Sequence, residues 1–153
     1  METISNRNFS ALLQISVLGQ YIFPLGNFIF PGILWGIKKN DSAFIDQNGK
    51  HCLNFQLSLL VYSLLLFIAA VSLILYAFFQ NGETFYFNNY SGWHGFSESF
   101  TAKRFSTEIV IALVLLFLLA VLKITEFVIV LYASIKNING EVYRFPLTIK
   151  FIK

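Results

Sequence analysis

Three long apolar stretches, at residues 11–37, 53–79 and 107–135, dominate this sequence. Each exceeds the ~20 apolar residues that a helix needs to cross ~30 Å of hydrocarbon. Each therefore predicts a spanning helix, tilted or with a turn protruding into water. No residue is charged between Leu57 and Phe79, or between Ile109 and Leu122. The chain is 56% hydrophobic and only 12% charged, where a soluble domain carries about a quarter charged residues. That composition excludes a disordered chain, a nucleic-acid module and an ordinary cytosolic enzyme. A length of 153 residues fits one domain, expected over 1–153. The sole cysteine, Cys52, excludes a disulfide framework and a multi-cysteine metal site.

The first stretch differs from the other two because it contains Pro24, Gly26, Pro31 and Gly32. Proline removes a backbone donor, clashes with the preceding turn and pushes the residue before it out of the helical region. Phe23-Pro24-Leu25-Gly26-Asn27 therefore predicts a break between a first helix, about 9–21, and a second short helix, about 27–38. Two topologies follow: one kinked span, which is the expectation carried forward, or a re-entrant hairpin. A cleaved signal peptide is not expected, because the stretch is too long and lacks a small-x-small site between Phe23 and Trp35. The resulting fold class is an all-α integral membrane protein with three transmembrane helices, the first broken at Pro24, and a short extended C-terminal tail.

Basic residues accumulate on the cytoplasmic side of membrane proteins. Three spans would place Lys38, Lys39, Lys50, Lys136, Arg144, Lys150 and Lys153 on one side. Arg7, Lys103 and Arg104 would lie on the other, with Lys123 inside the third span. Seven against three predicts a cytoplasmic C-terminus and an N-terminus outside. Residues 80–106 would then face outward, and their aromatic rings prefer the headgroup layer. Phe85, Tyr86, Tyr90, Trp93 and Phe96 are candidates for docking a partner on that loop, while the plainer reading is a loop lying on the membrane. His94 stands among aromatics without a second metal ligand.

Two places interrupt the apolar pattern. His51, Asn54, Ser58 and Tyr62 share one helix face, and Lys123 and Glu126 stand three apart, where opposite charges pair. A lone Lys or Asp at the bilayer centre costs about 2.5–3.5 kcal/mol on insertion scales. Counting ~20 residues inward from the outer surface puts both places on the cytoplasmic half. A shared polar cluster of Asn27, Asn54, Gln56, Lys123 and Glu126 is therefore a candidate site. It serves either to fix helix register, at about 0.6 kcal/mol per interhelical hydrogen bond, or as a recess for a partner or substrate segment. No catalytic constellation and no metal-spaced set emerges, so neither enzymatic activity nor a cofactor is expected. Asp41 and Asp46 read as solvated charge in a lysine-rich loop.

After Asn139-Gly140, a helix stop, the tail at 138–153 alternates Tyr143, Phe145, Leu147, Ile149 and Phe151 with mainly polar residues. Period two predicts an extended segment, and Pro146 argues against a central strand. The tail is expected along the inner interface or folded back over the helix ends. Arg144, Lys150 and Lys153 would meet anionic lipid at about 1 kcal/mol each.

Several motifs occur in an order that resembles one known family. They are Phe23-Pro24-Leu25-Gly26-Asn27 through Pro31 and Leu34-Trp35, Ile37-Lys38-Lys39, Asn48-Gly49-Lys50, Leu53-Asn54-Phe55-Gln56 and Asn139-Gly140-Glu141-Val142-Tyr143-Arg144-Phe145-Pro146-Leu147. On these the chain resembles the bacterial Tic-twenty-like family of small integral membrane proteins, a domain of unknown function. The resemblance implies a three- to four-helix membrane protein whose Asn-Phe-Gln helix starts on the cytoplasmic side, with a distant link to protein import. The long aromatic loop at 80–106 and the His51-Cys52 pair depart from that family's pattern. The expectation is a small non-enzymatic protein of the bacterial inner membrane, an accessory or assembly subunit of a larger complex, with protein translocation as its setting. Its partners would be the lipid bilayer and other membrane proteins or a second copy, and no nucleic acid. The alternative is an oligomeric channel or carrier.

Overall fold

A computed structural model describes residues 2–80 and 107–153. Helix α1 is Ile4–Ile15, and a short 3-10 segment continues it over Ser16–Tyr21. Helix α2 is Gly26–Lys38, α3 is Ala43–Gln80 and α4 is Thr107–Ile138. No strand forms among the described residues, and the tail from Glu141 onward is irregular.

Thr3 starts α1 by accepting the Asn6 amide at 3.2 Å, which satisfies one of the donors left free in a first turn. The helical path stops after Tyr21, and Pro24 sits in the turn that follows. Within that turn the Phe23 amide donates to Gly19 at 3.0 Å and Gly26 donates to Phe23 at 2.9 Å. Leu25 takes a left-handed φ of 64° to start α2. The two halves then run antiparallel. The Phe30 ring lies over Gly19, where a Cβ would meet it at 2.2 Å, and Lys38 sits 5.7 Å from the Phe9 ring centroid. A Cβ on Gly26 would come within 2.4 Å of the Gly19 carbonyl, so the backbones touch where the hairpin closes.

This hairpin corrects the three-span expectation. The 13 residues of α2 reach only ~20 Å at 1.5 Å per residue, short of the ~30 Å of hydrocarbon. Two helices among the described residues are long and apolar enough to cross a membrane, at Ala43–Ala77 and Thr107–Ile138. Less than a fifth of the most apolar part of each is buried within the protein. A soluble protein does not leave so much contiguous apolar surface in water. The hairpin also returns the N-terminus to the end where α3 begins. Ser42 donates to the Glu2 carboxylate at 3.1 Å, and Arg7 packs against Gly140. The N-terminus and the tail therefore share an end, and the expectation that they lie on opposite sides fails.

The chain divides into two compact units, Met1–Ser63 with Val121–Lys153, and Leu64–Ala120. The core of the first comprises Leu13, Val17, Cys52, Phe55, Leu59, Val130, Ala133 and Phe145. In the second, the buried described residues are Ala70, Ala77 and Ala112. Small side chains of this kind let helix backbones approach closely in lipid.

Candidate functional site

The polar residues of the first unit form a set of ties between elements, and the most extended of these holds the tail. One face of α3 carries Asn48, His51, Asn54, Ser58 and Tyr62 at steps of three, three, four and four. Asn48 Oδ1 accepts the Tyr143 amide at 3.3 Å, and His51 Nδ1 lies 3.0 Å from the Tyr143 carbonyl. A carbonyl only accepts, so His51 carries its proton on Nδ1 here. Further along α3, the Tyr62 hydroxyl donates to the Leu147 carbonyl at 2.9 Å. The tail then reverses. The Ile149 amide donates to Ser58 Oγ at 2.8 Å, and Phe151 and Ile152 both donate to Asn54 Oδ1, at 3.0 and 2.7 Å. Asn54 Nδ2 completes the clamp by donating to the Ile152 carbonyl at 2.9 Å.

The tail thus climbs α3 from Asn48 to Tyr62 and descends again to Asn54. Its reversal falls at Pro146-Leu147, where Leu147 adopts φ 53° and Thr148 Oγ1 donates to the Phe145 carbonyl at 3.1 Å. Phe145 pins the ascending arm to the core, stacked on Phe55 with centroids 4.4 Å apart, and Tyr143 meets Phe145 edge-on at 5.0 Å. Burial, and then the neighbouring Tyr132 phenol, raise the Tyr143 pKa above its ordinary value. The alternation in the tail sequence therefore corresponds to a folded-back loop on a helix, in which side chains of α3 replace a strand partner.

The proposed five-residue cluster resolves into three hydrogen-bonded sets, and no hydrogen bond among the described residues links them. Asn54 belongs to the tail clamp. Asn27 Nδ2 donates to Gln56 Oε1 at 3.0 Å, which ties α2 to α3. Lys123 pairs with the fully buried Glu126 at 2.9 Å, and Gln20 Nε2 donates to the same carboxylate at 3.2 Å, which ties the 3-10 segment to α4. A further tie uses residues the sequence reading did not single out. Asn137 Nδ2 donates to the Ser10 carbonyl at 3.3 Å, Ser134 to Ala11 at 3.4 Å, and Gln14 approaches the Asn48 carbonyl at 3.5 Å. Their signal was present in the spacing: Ser10 and Gln14 stand four apart, and Ser134 and Asn137 three apart, each on one helix face.

Arg144, Lys150 and Lys153 are exposed on the tail. The loop candidates Phe85, Tyr86, Tyr90, Trp93 and Phe96 lie outside the described residues. Among the described residues no group of three His, Cys, Asp or Glu side chains could hold a metal ion. Asp46 is not merely solvated, because it accepts Trp35 Nε1 at 3.0 Å and pairs with Lys50 at 2.7 Å.

The model of the magnetosome magnetite crystal formation protein family, MamF/MmsF, matches residues 5–152. The chain belongs to that family. No curated protein and no solved structure matches it. The match replaces the Tic-twenty-like assignment, and the translocation setting, which rested on that assignment, goes with it. The motifs that suggested it have structural roles in this MamF/MmsF chain: Pro24 turns the hairpin, Asn54 clamps the tail and Gly140 ends α4. Residues selected for such roles report how a chain folds, and their order does not by itself identify the family.

Proposed function

We propose that this chain is a non-enzymatic, membrane-embedded structural subunit that acts in magnetite crystal formation, as its family description says. It works at a bacterial membrane where those crystals form, alongside other membrane proteins or further copies of itself. The observation that carries this reading is the use of the buried polar side chains. Asn27, Asn54, Gln56 and Glu126 are buried and each makes a hydrogen bond to another element of the same chain, while the part-exposed Lys123 pairs with Glu126 on its own helix. These contacts lock helices and tail together. The exposed apolar surfaces of α3 and α4 support residence in lipid. With the hairpin returning the N-terminus, Arg7 joins Lys38, Lys39, Lys50, Lys136, Arg144, Lys150 and Lys153 at one end, which favours a cytoplasmic tail.

The test uses a magnetite-forming cell that lacks its own member of the family. Expression of the full chain is expected to place it in the crystal-enclosing membrane and to restore crystal dimensions measured by electron microscopy. A chain found outside that membrane, or crystals unchanged by its expression, overturns the reading. Protease protection of a C-terminal tag in sealed vesicles tests the orientation separately.

A further inference from the structure

The two arms of the tail and α3 enclose a cleft of about 320 Å³, lined by His51, Asn54, Arg144, Phe145, Thr148 and Lys150. Its chemistry is one-sided. Two cations face it and no carboxylate does. Each side-chain carboxylate of this unit among the described residues is engaged elsewhere. Glu2 accepts from Asn6 and Ser42, Asp41 pairs with Lys38 and Asp46 with Lys50. Glu126 pairs with Lys123 and Glu141 with Lys136. Arg144 and Lys150, by contrast, have no ion pair among the described residues. Their positive charge therefore stands uncompensated beside a concave surface.

The donors are of the kinds that recognise phosphate. A guanidinium offers a planar fork that matches two phosphate oxygens, and an ammonium adds a compact point charge. The Thr148 hydroxyl is a further polar group on the wall. His51 donates its Nδ1 proton to Tyr143, which leaves Nε2 to accept from a protonated phosphate oxygen or, when itself protonated, to donate. The floor is set by Phe145, held on Phe55, so the ligand needs an apolar portion or leaves that ring covered only by water. Position along the chain points the same way. Asn54 follows Lys50, the last charged residue of α3, by four residues, about 6 Å of helix, so the cleft lies where an apolar helix meets polar surroundings.

We infer that this cleft is a binding site for a net-anionic phosphate group, of the kind carried by an acidic phospholipid headgroup or by free phosphate. The site requires the tail to be docked, because Arg144 and Lys150 come from its two opposite arms. It does not depend on a role in crystal formation.

The full chain, purified in a non-ionic detergent, is titrated with short-chain phosphatidylglycerol, short-chain phosphatidylcholine and inorganic phosphate, and retention is read by native mass spectrometry. Phosphatidylglycerol is expected to be retained in preference to phosphatidylcholine. The double variant Arg144→Gln, Lys150→Gln should lower its affinity on the order of thirtyfold, from two basic contacts of ordinary strength. The control Lys38→Gln, Lys39→Gln removes the same charge elsewhere and should change affinity less than about threefold. The single variants Arg144→Gln and Lys150→Gln serve if the double variant loses its helical circular dichroism. Competition by millimolar inorganic phosphate identifies free phosphate as the ligand, and retention unaffected by it identifies the lipid headgroup. Equal losses in the two double variants overturn the site, as does equal retention of both lipids with no binding of phosphate.

Discussion

Replacing Asn54 by Ala removes the clamp that ends the tail. Asn54 is 3% exposed, and its amide makes three hydrogen bonds to the tail backbone: two accepted from Phe151 and Ile152 and one donated to Ile152. A hydrogen bond contributes about 0.5–1.5 kcal/mol net, so the three together contribute about 3 kcal/mol to docking of the last residues. Alanine cannot replace any of them, and the tail end is short enough to leave α3 and find water. Local release then limits the cost, because the rest of the fold keeps its own contacts. Amide hydrogen exchange at Phe151 and Ile152 measures that release directly. At 1.4 kcal/mol per tenfold, their protection should fall about a hundredfold, while amides of α4 keep theirs. Asn54→Asp, which keeps the acceptors and loses the donor, should show a smaller loss. Unchanged protection at Phe151 and Ile152 in Asn54→Ala would refute the clamp.

Gly49→Ala should place a Cβ 2.2 Å from Trp35 Cδ1 and displace the indole from Asp46. Overpacking of about 1–3 kcal/mol is offset by about 1 kcal/mol of helix propensity, so the thermal midpoint should drop modestly and Trp35 fluorescence should shift in a Trp93→Phe background. Gly140→Ala meets both a left-handed φ of 82° and the Arg7 side chain at 2.8 Å. It should cost at least about 1–2 kcal/mol in denaturant unfolding, and Arg7→Ala should recover only the part due to the clash. Tyr143 has a pKa raised from 10.0 by burial and by Tyr132. Its contribution to tail docking is fully present below pH 10 and is lost as pH rises through the raised value. A phenol absorbing at 295 nm later than the exposed tyrosines, and absent in Tyr143→Phe, is the expected result.

Much of the second half of the fold was legible because α3 and α4 need only hydropathy and length to be recognised. The break at Pro24 was legible too, since proline acts locally. Whether the chain continued or returned after it was not. That choice depends on Gly19, Gly26 and Phe30 meeting across the turn, and a 27-residue apolar stretch has the length of a span whichever way it folds. The shared face of His51, Asn54, Ser58 and Tyr62 followed from helical periodicity. Its purpose did not, because the tail reverses at Leu147, a non-glycine residue with φ 53° that no turn rule flags. Gln20 was passed over for a related reason: an isolated glutamine in an apolar stretch carries no pattern of its own, and its partner Glu126 is 106 positions away.

The described residues of the first unit show how irregular backbone is held in lipid. Apolar contact between helices earns little where the solvent is as apolar as leucine, so association depends on close fit and on hydrogen bonds. In Leu64–Ala120 the buried described residues are alanines, whose small side chains let helices approach closely. Met1–Ser63 with Val121–Lys153 must also hold two short helices and a tail that could not span on their own. Their backbone ends need partners, because unsatisfied polar groups are costly beside hydrocarbon. Glutamine and asparagine side chains supply the ties from helix to helix, and Asn54, Ser58 and Tyr62 supply the tail with what a neighbouring strand would otherwise give. The same requirement explains why, among the described residues, the buried polar side chains all lie in the first unit. They follow the irregular backbone, and the cationic cleft exists because the tail they hold brings Arg144 and Lys150 to a common wall.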